Sequence, residues 1–451
     1  MCTVFAAHIA WRTIYALYFL PLRNIPGQFF SRISNYEKYG NMSIVTNKMV
    51  AVCDPNDCRL ILATHAFRKD MLYAHVDFIE PNMLLTGDPG LNKQRRRQVG
   101  PALSLASLRK MEPTILAAGI QQLLDKWDSA IEQSSTGKAK VCYEKDFVMM
   151  TFDVIGSLGF GRTQRLLTAG DLTVVRWKTN SLMLVQVVAG ELKWLPFSYL
   201  LTKSLRKDVE EFIAFANQSI EERKQLVAEG AAKPSDILQA YIDAEDPESR
   251  TRMTPSQVTA EVIMTLRAGA GTTSDTLTWT IHLLMLHPQH YKRSVDEVRS
   301  NFDKDHLITF DEVKERLPFL EACVYESMRT RPVSSFLPRI VPPGGVTLQG
   351  HFIPEGYTCI PLISAANMNM DAWDEPHTFN PERNLAWVEM LTTLANLFNA
   401  YDFALPEDAL FTQDNLDKYG QPVIMPQKMI FTNGPRFPER DCQVVISKRQ
   451  K

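Results

Sequence analysis

Four short stretches of this 451-residue sequence place reactive residue types at spacings that could do chemistry. Ala268-Gly269-Ala270-Gly271-Thr272-Thr273-Ser274 sets two glycines and two threonines inside a long helical pattern. Glycine inside a helix costs about 1 kcal/mol relative to alanine. Such a segment is tolerated where the backbone must approach something closely or the helix must deform. The threonine hydroxyls either bond back to carbonyls one turn earlier or face a ligand. Glu326 and Arg329 stand three apart, on one face of a second helix. On a surface that pair would contribute only about 0.3–0.5 kcal/mol. Arg95-Arg96-Arg97 forms a cationic run that is either a solvated face or an anion site. Arg339 lies beyond the second helix, and Phe379-Asn380-Pro381-Glu382-Arg383 follows later. Guanidinium groups suit carboxylates because their donors form a rigid fork.

The elements that would position these residues can be read from periodicity. Ser43 to Cys53 reads as short β-strands, with Ile44, Val45, Val50 and Val52 as branched residues. Asp54 and Pro55 suit the start of a helix that would bury Leu60, Ile61 and Leu62. Ile115, Ile120, Leu123, Leu124, Trp127 and Ile131 recur at helical spacing. Asp146 to Leu158 is apolar nearly all round, as a buried helix is. Glu210 to Val227 is amphipathic. The longest helix is expected from Pro255 to His287, with Thr254 and Gln257 as a capping box and Pro288 as the stop. At 1.5 Å per residue it would be roughly 50 Å long and run through the centre. Another helix covers Pro318 to Thr330. Gly345 to Ile363 predicts β-hairpins, Leu385 to Tyr401 a helix, and Val423 to Ile446 a closing hairpin. The fold class is mainly α with a small β region.

Composition narrows the function. Hydrophobic residues make up 45% of the chain, enough for a large core. The net charge is −2 with 22% charged residues, which argues against a nucleic-acid partner. The seven cysteines are scattered, and no pair has zinc-site spacing. Most are expected to be small buried hydrophobes. Met1 to Leu20 is apolar but interrupted by His8 and Arg12. It reads either as a weak membrane anchor or as an amphipathic surface segment, because a central arginine costs about 2.5–3.5 kcal/mol on insertion. Pro21 to Gly27 is a stiff linker.

The order Ala-Gly-x-x-Thr-Thr, Glu-x-x-Arg, β region and Pro-Glu-Arg resembles the plan of the cytochrome P-450 family. The resemblance extends over nearly the whole chain, with Tyr18 to Gly27 similar to the proline-rich hinge after the family's anchor. It implies residues 1–25 as anchor and hinge and residues 26–451 as one cytochrome P-450-like domain built around a long central helix. It implies heme b as cofactor and insertion of one oxygen atom from O2 into a small apolar organic substrate. Electrons would come from NADPH through a separate cytochrome reductase, at the endoplasmic reticulum membrane with the domain facing the cytosol. Thr272 would be catalytic, and Ala268 and Gly269 would lie against the cofactor. Arg96 and Arg339 would bind its propionates. Glu326, Arg329 and Arg383 would form a buried ion-pair triad. The Pro342-Pro343-Gly344-Gly345-Val346 and Phe352-Ile353-Pro354-Glu355-Gly356 stretches resemble filamentous-fungal members, many of which oxidise secondary metabolites.

Three departures from that family stand out. The residue before Thr272 is usually acidic in the family, and here it is Gly271. Asn92 stands where tryptophan or histidine is frequent. After Arg383 the family continues for some tens of residues, including the loop Phe-x-x-Gly-x-Arg-x-Cys-x-Gly whose thiolate binds the iron. Here Arg383 runs directly into Asn384-Leu385-Ala386-Trp387, which resembles the helix after that loop. The axial cysteine is therefore expected to be missing, and the metal has no ligand at its usual place. Cys442, Cys323 and Cys359 do not match the ligand position. Two readings follow: a monooxygenase that has lost an exon-sized piece, or an inactive, heme-deficient protein that at most holds an apolar ligand.

Overall fold

Helices dominate the computed structural model, which describes residues 42–46, 48–76, 79–162, 165–189, 202–334, 336–381, 388–429 and 432–449. Among the described residues the strands gather into four small sheets. The contacts divide the chain into two units.

One unit comprises the described residues up to Ala74, with Gly87–Pro89 and Ser334–Pro376. Met42–Thr46 pairs antiparallel with Met49–Val52, as the branched residues predict. Met49–Val52 also pairs in parallel with Thr358–Pro361, Val50 standing opposite Cys359. Arg339–Ile340 and Arg68–Lys69 complete a five-stranded sheet. The Asp54 carboxylate accepts the N–H groups of Asn56 and Asp57, both at 3.0 Å, and Pro55 opens the helix Pro55–Ala63. Cys58 and Ile61 are its buried residues, whereas Leu60 is 43% exposed. The predicted apolar run overstates that face, because three consecutive residues sweep too wide an arc to share one stripe. Val346–Leu348 and His351–Ile353 form the expected hairpin. Its two turn residues, Gln349 and Gly350, have φ of 48° and 76°, the handedness a two-residue hairpin needs.

The other unit comprises His75–Thr86, Gly90–Val333 and His377–Lys451. Its central helix runs Pro255–Leu286, close to the predicted span. The Thr254 hydroxyl accepts the Gln257 N–H at 3.3 Å, and the Gln257 side-chain oxygen accepts the Thr254 N–H at 3.0 Å. This reciprocal cap satisfies two amides that the helix cannot satisfy itself. Thr254→Ala is expected to cost about 1 kcal/mol, read as a lower urea midpoint at unchanged slope. From Thr276 to Leu286 every residue of the helix is buried, so it has no solvent face there. Tyr143–Phe160 packs along it and is as apolar as the sequence predicts. Pro318–Thr330 matches its predicted bounds and also contacts the central helix. Lys203–Ala228 extends the amphipathic helix at its N-terminal end, and Val388–Ala400 lies within the predicted Leu385 to Tyr401.

Two details differ from the periodic reading. The stretch from Leu105 to Glu132 is helical throughout but passes through a wider π turn at Leu116–Ile120, where Gly119 is pressed against Val154 and Met150. The tail is also not one hairpin. Gln427–Met429 pairs with Asn433–Pro435, while Gln443–Lys448 is a separate strand between Lys138–Cys142 and Tyr401–Ala404. Val444 and Ile446 alternate into the core from that central position. A local turn rule sees neither the strand about three hundred residues earlier nor the one about forty earlier. No helix among the described residues is long and apolar enough to cross a membrane, and Met1 to Leu20 lies outside them.

Candidate functional site

Glu326 and Arg329 lie one turn apart on Pro318–Thr330, and neither is a surface residue. Arg329 donates through Nε to Glu326 Oε2 at 2.8 Å and through Nη2 to Oε1 at 2.7 Å. The Asn380 N–H donates to Glu326 Oε1 at 2.8 Å, and the Thr378 carbonyl accepts from Arg329 Nη2 at 3.2 Å. A bidentate pair thus fastens the Phe379-Asn380-Pro381 segment to the helix. Two of the three expected triad members are together; Arg383 lies outside the described residues.

Midway along the central helix, the Thr272 hydroxyl donates to the Ala268 carbonyl at 2.8 Å. Ser274, Thr276 and Thr280 bond back in the same way to Gly271, Thr272 and Thr276. The residues flanking this run are fully buried, yet Ala268, Gly269, Thr272, Thr273 and Asp275 keep partial exposure. That face of the helix is partly exposed. The Ala270 carbonyl accepts from Thr151 Oγ1 of Tyr143–Phe160 at 3.0 Å. A side chain at Gly269 would meet Ile155 no closer than 3.4 Å, so packing there does not demand glycine. Gly271 differs: a Cβ there would collide with Lys178 Nζ, which comes from the helix Thr173–Ala189.

Lys178 belongs to a charged cluster that sequence reading missed. Arg267, Gly271 and Asp275 recur every four residues and so share one helix face. Lys178 meets that face at Gly271, with Asp275, Arg267 and Glu144 close enough to act on its charge. Asp275 in turn fills the gap left by Gly434, its Oδ1 2.7 Å from where a Cβ would stand. The spacing on one helix was legible, but the approach of Lys178 and Glu144 from other helices was not. Burial, then the nearby Asp275 carboxylate, push the Glu144 carboxyl up from its ordinary 4.5 to about 7. The unfolded chain therefore loses this proton at lower pH than the folded one, and stability falls as pH rises between those values. Glu144→Gln is expected to stabilise by about 2 kcal/mol at pH 8 and to change little at pH 4. Equal gains at both pH values in denaturant titrations would contradict this.

The three clustered arginines have separate environments. Arg95 is buried, with Nη1 on Gln98 Oε1 at 2.6 Å and Nε 3.7 Å from Glu261. Arg97 grips Asp246 through two bonds of 2.6 and 2.9 Å and reaches Glu248 at 2.9 Å. Arg96, the expected propionate partner, is exposed and donates to Asn92 Oδ1 at 3.1 Å. Asn92 also donates to the Met83 carbonyl at 2.6 Å. Arg339 belongs to the other unit, where its Nη1 donates to the Tyr73 hydroxyl at 2.9 Å and to the Pro338 carbonyl at 3.1 Å. Among the described residues neither Arg96 nor Arg339 has an acidic partner, so both can still accept a carboxylate.

A heme of the expected kind needs a cysteine thiolate on its iron. Cys53, Cys58, Cys142, Cys323, Cys359 and Cys442 are free, and all but Cys142 are buried. Burial pushes the thiols of Cys53, Cys58, Cys323 and Cys359 up to about 12 and that of Cys142 up to about 11. Cys442 is pushed higher still and lies 3.6 Å from the Met425 sulfur. None is poised as a thiolate. The junction of Arg383 and Asn384 lies outside the described residues. Among the described residues, Arg96 and Arg339 are suited to carboxylates and burial holds the six cysteines as thiols; Cys2 lies outside the described residues.

Comparison with known proteins bears on the identity of this fold. The sequence profile of the Cytochrome P-450 family matches residues 10–386. The cytochrome P-450 monooxygenase helB1 of Aspergillus fumigatus is 37% identical, the match spanning all of this chain and 86% of that protein. The helB2 monooxygenase of the same fungus is 36% identical over 99% of this chain and 98% of its own length. The crystal structure of the cytochrome P-450DA heme domain superimposes with a TM-score of 0.78 at 17% identity, covering 94% of this chain and 97% of that one. The helical architecture with its small β region thus has its counterpart in a known fold, and the chain belongs to the cytochrome P-450 family.

Proposed function

We propose that this chain is built on the scaffold of a monooxygenase that inserts one oxygen atom from O2 into a small apolar organic molecule, a fungal secondary metabolite. The family and the fold imply heme b as cofactor. In this reading an NADPH-dependent cytochrome reductase supplies the electrons, and residues 1–20 hold the protein at the endoplasmic reticulum membrane. The observation that carries the reading is likeness to named monooxygenases along the whole chain. Sequencing the transcript across the codons for Arg383 and Asn384 tests it. A longer message with an intervening Gly-x-Arg-x-Cys restores the enzyme; a message without it leaves the chain as given.

A second reading applies to the 451 residues as they stand. Such a chain lacks the axial cysteine and binds an apolar ligand without oxidising it. The buried thiols described above favour it. Two further facts support a lost internal segment. The alignment with helB1 runs over 497 positions although the chain has only 451 residues, so the relative carries several tens of residues that this chain lacks. The family match also stops at residue 386, just past Arg383.

A further inference from the structure

Lys178 sits where the family usually places a carboxylate. Gly271 leaves no side chain before Thr272, and the Lys178 ammonium fills that gap from another helix. The same ammonium stands 5.6 Å from the centre of the Phe152 ring, so it is cushioned by an aromatic face. It is half-buried, beside a partly exposed stretch of the central helix. The local charge thus differs from that expected of the family: a cation where an acid is usual.

We propose that Lys178 is an anion subsite, and that the ligand of this protein is an apolar molecule carrying a carboxylate, whose acid group meets the ammonium in the Gly271 gap. The proposal rests on the reading that the space beside the central helix receives an apolar ligand. Four charged groups set the balance there: Lys178 and Arg267 against Asp275 and Glu144. Burial raises the pKa of both acids, Glu144 to about 7, and it lowers that of the Lys178 amine as well. Asp275 is also engaged by the Thr432 side chain, which draws part of its hydrogen-bonding capacity away from Lys178. A carboxylate arriving at the Gly271 gap would find an ammonium with three N–H donors. A charge-assisted bond there selects acids over esters, because an ester leaves the buried ammonium without its partner.

The test uses the purified 451-residue chain and two fluorescent probes, 11-(dansylamino)undecanoic acid and its methyl ester. The acid is expected to bind at least about tenfold more tightly than the ester at pH 7.5. Lys178→Met should erase that preference while ester binding stays unchanged, and Lys178→Arg should keep it. Gly271→Ala, which displaces the ammonium, should reduce it as well. Equal binding of acid and ester by the native chain, or a preference that survives Lys178→Met, overturns the subsite while the apolar space stands. Failure of the native chain to bind either probe overturns the apolar-ligand reading and the subsite with it.

Discussion

Arg329→Ala is expected to destabilise the protein by about 3–5 kcal/mol, a large part of the stability of an ordinary domain. The reason is burial. Glu326 is wholly inaccessible and Arg329 nearly so, and Arg329 donates two bonds of 2.7 and 2.8 Å to the carboxylate. Deleting the guanidinium leaves a carboxylate in the core with only the Asn380 amide as a described partner. The uncompensated charge, more than the lost attraction, sets the size of the effect. Replacing both residues by apolar ones of similar volume should therefore cost less than either single change. The exposed pair Lys292–Asp296 is the control, where Lys292→Ala should cost no more than about 0.5 kcal/mol. Urea titrations of the four proteins decide the matter. Similar small losses at both pairs would mean that the Glu326–Arg329 pair is not a buried fastener.

The second large effect concerns the iron ligand. If the second reading holds, inserting a Phe-x-x-Gly-x-Arg-x-Cys-x-Gly segment between Arg383 and Asn384 should give a chain that binds about one heme. Cysteine to serine within the insert should abolish the gain. The expectation follows from what is already in place. The Glu326–Arg329 fastener holds the segment leading to residue 381, and the helix Val388–Ala400 is buried on the far side of the join. Arg96 and Arg339 remain without acidic partners among the described residues. An insert that folds without taking up heme would place the defect elsewhere than at the join.

Much of the architecture was legible because it rests on local rules. Thr254, Gln257 and Pro288 delimit the central helix almost to the residue, since capping and proline chemistry act within one turn. The Glu326–Arg329 pair was legible as spacing, but its burial was not, because burial depends on what packs around it. The charged group beside Thr272 escaped entirely. Sequence reading saw Gly271 as a missing acid; the fold fills the same gap with Lys178, ninety-three positions away. The tail failed for a related reason, since Gln443–Lys448 takes as partners strands from Lys138–Cys142 and Tyr401–Ala404. Arginine reading was intermediate. The run at residues 95–97 was found, yet only the fold separates Arg95 and Arg97, tied to Glu261 and to Asp246 with Glu248, from the exposed Arg96.

The second reading holds that no cysteine of the 451-residue chain ligates iron. It is tested most directly by expressing that chain with added heme precursor, purifying it, and recording its reduced, carbon monoxide-bound difference spectrum. No thiolate-type band should appear, whatever heme copurifies. A thiolate-type band in proportion to the protein would contradict the claim and would require one of the existing cysteines to reach the metal.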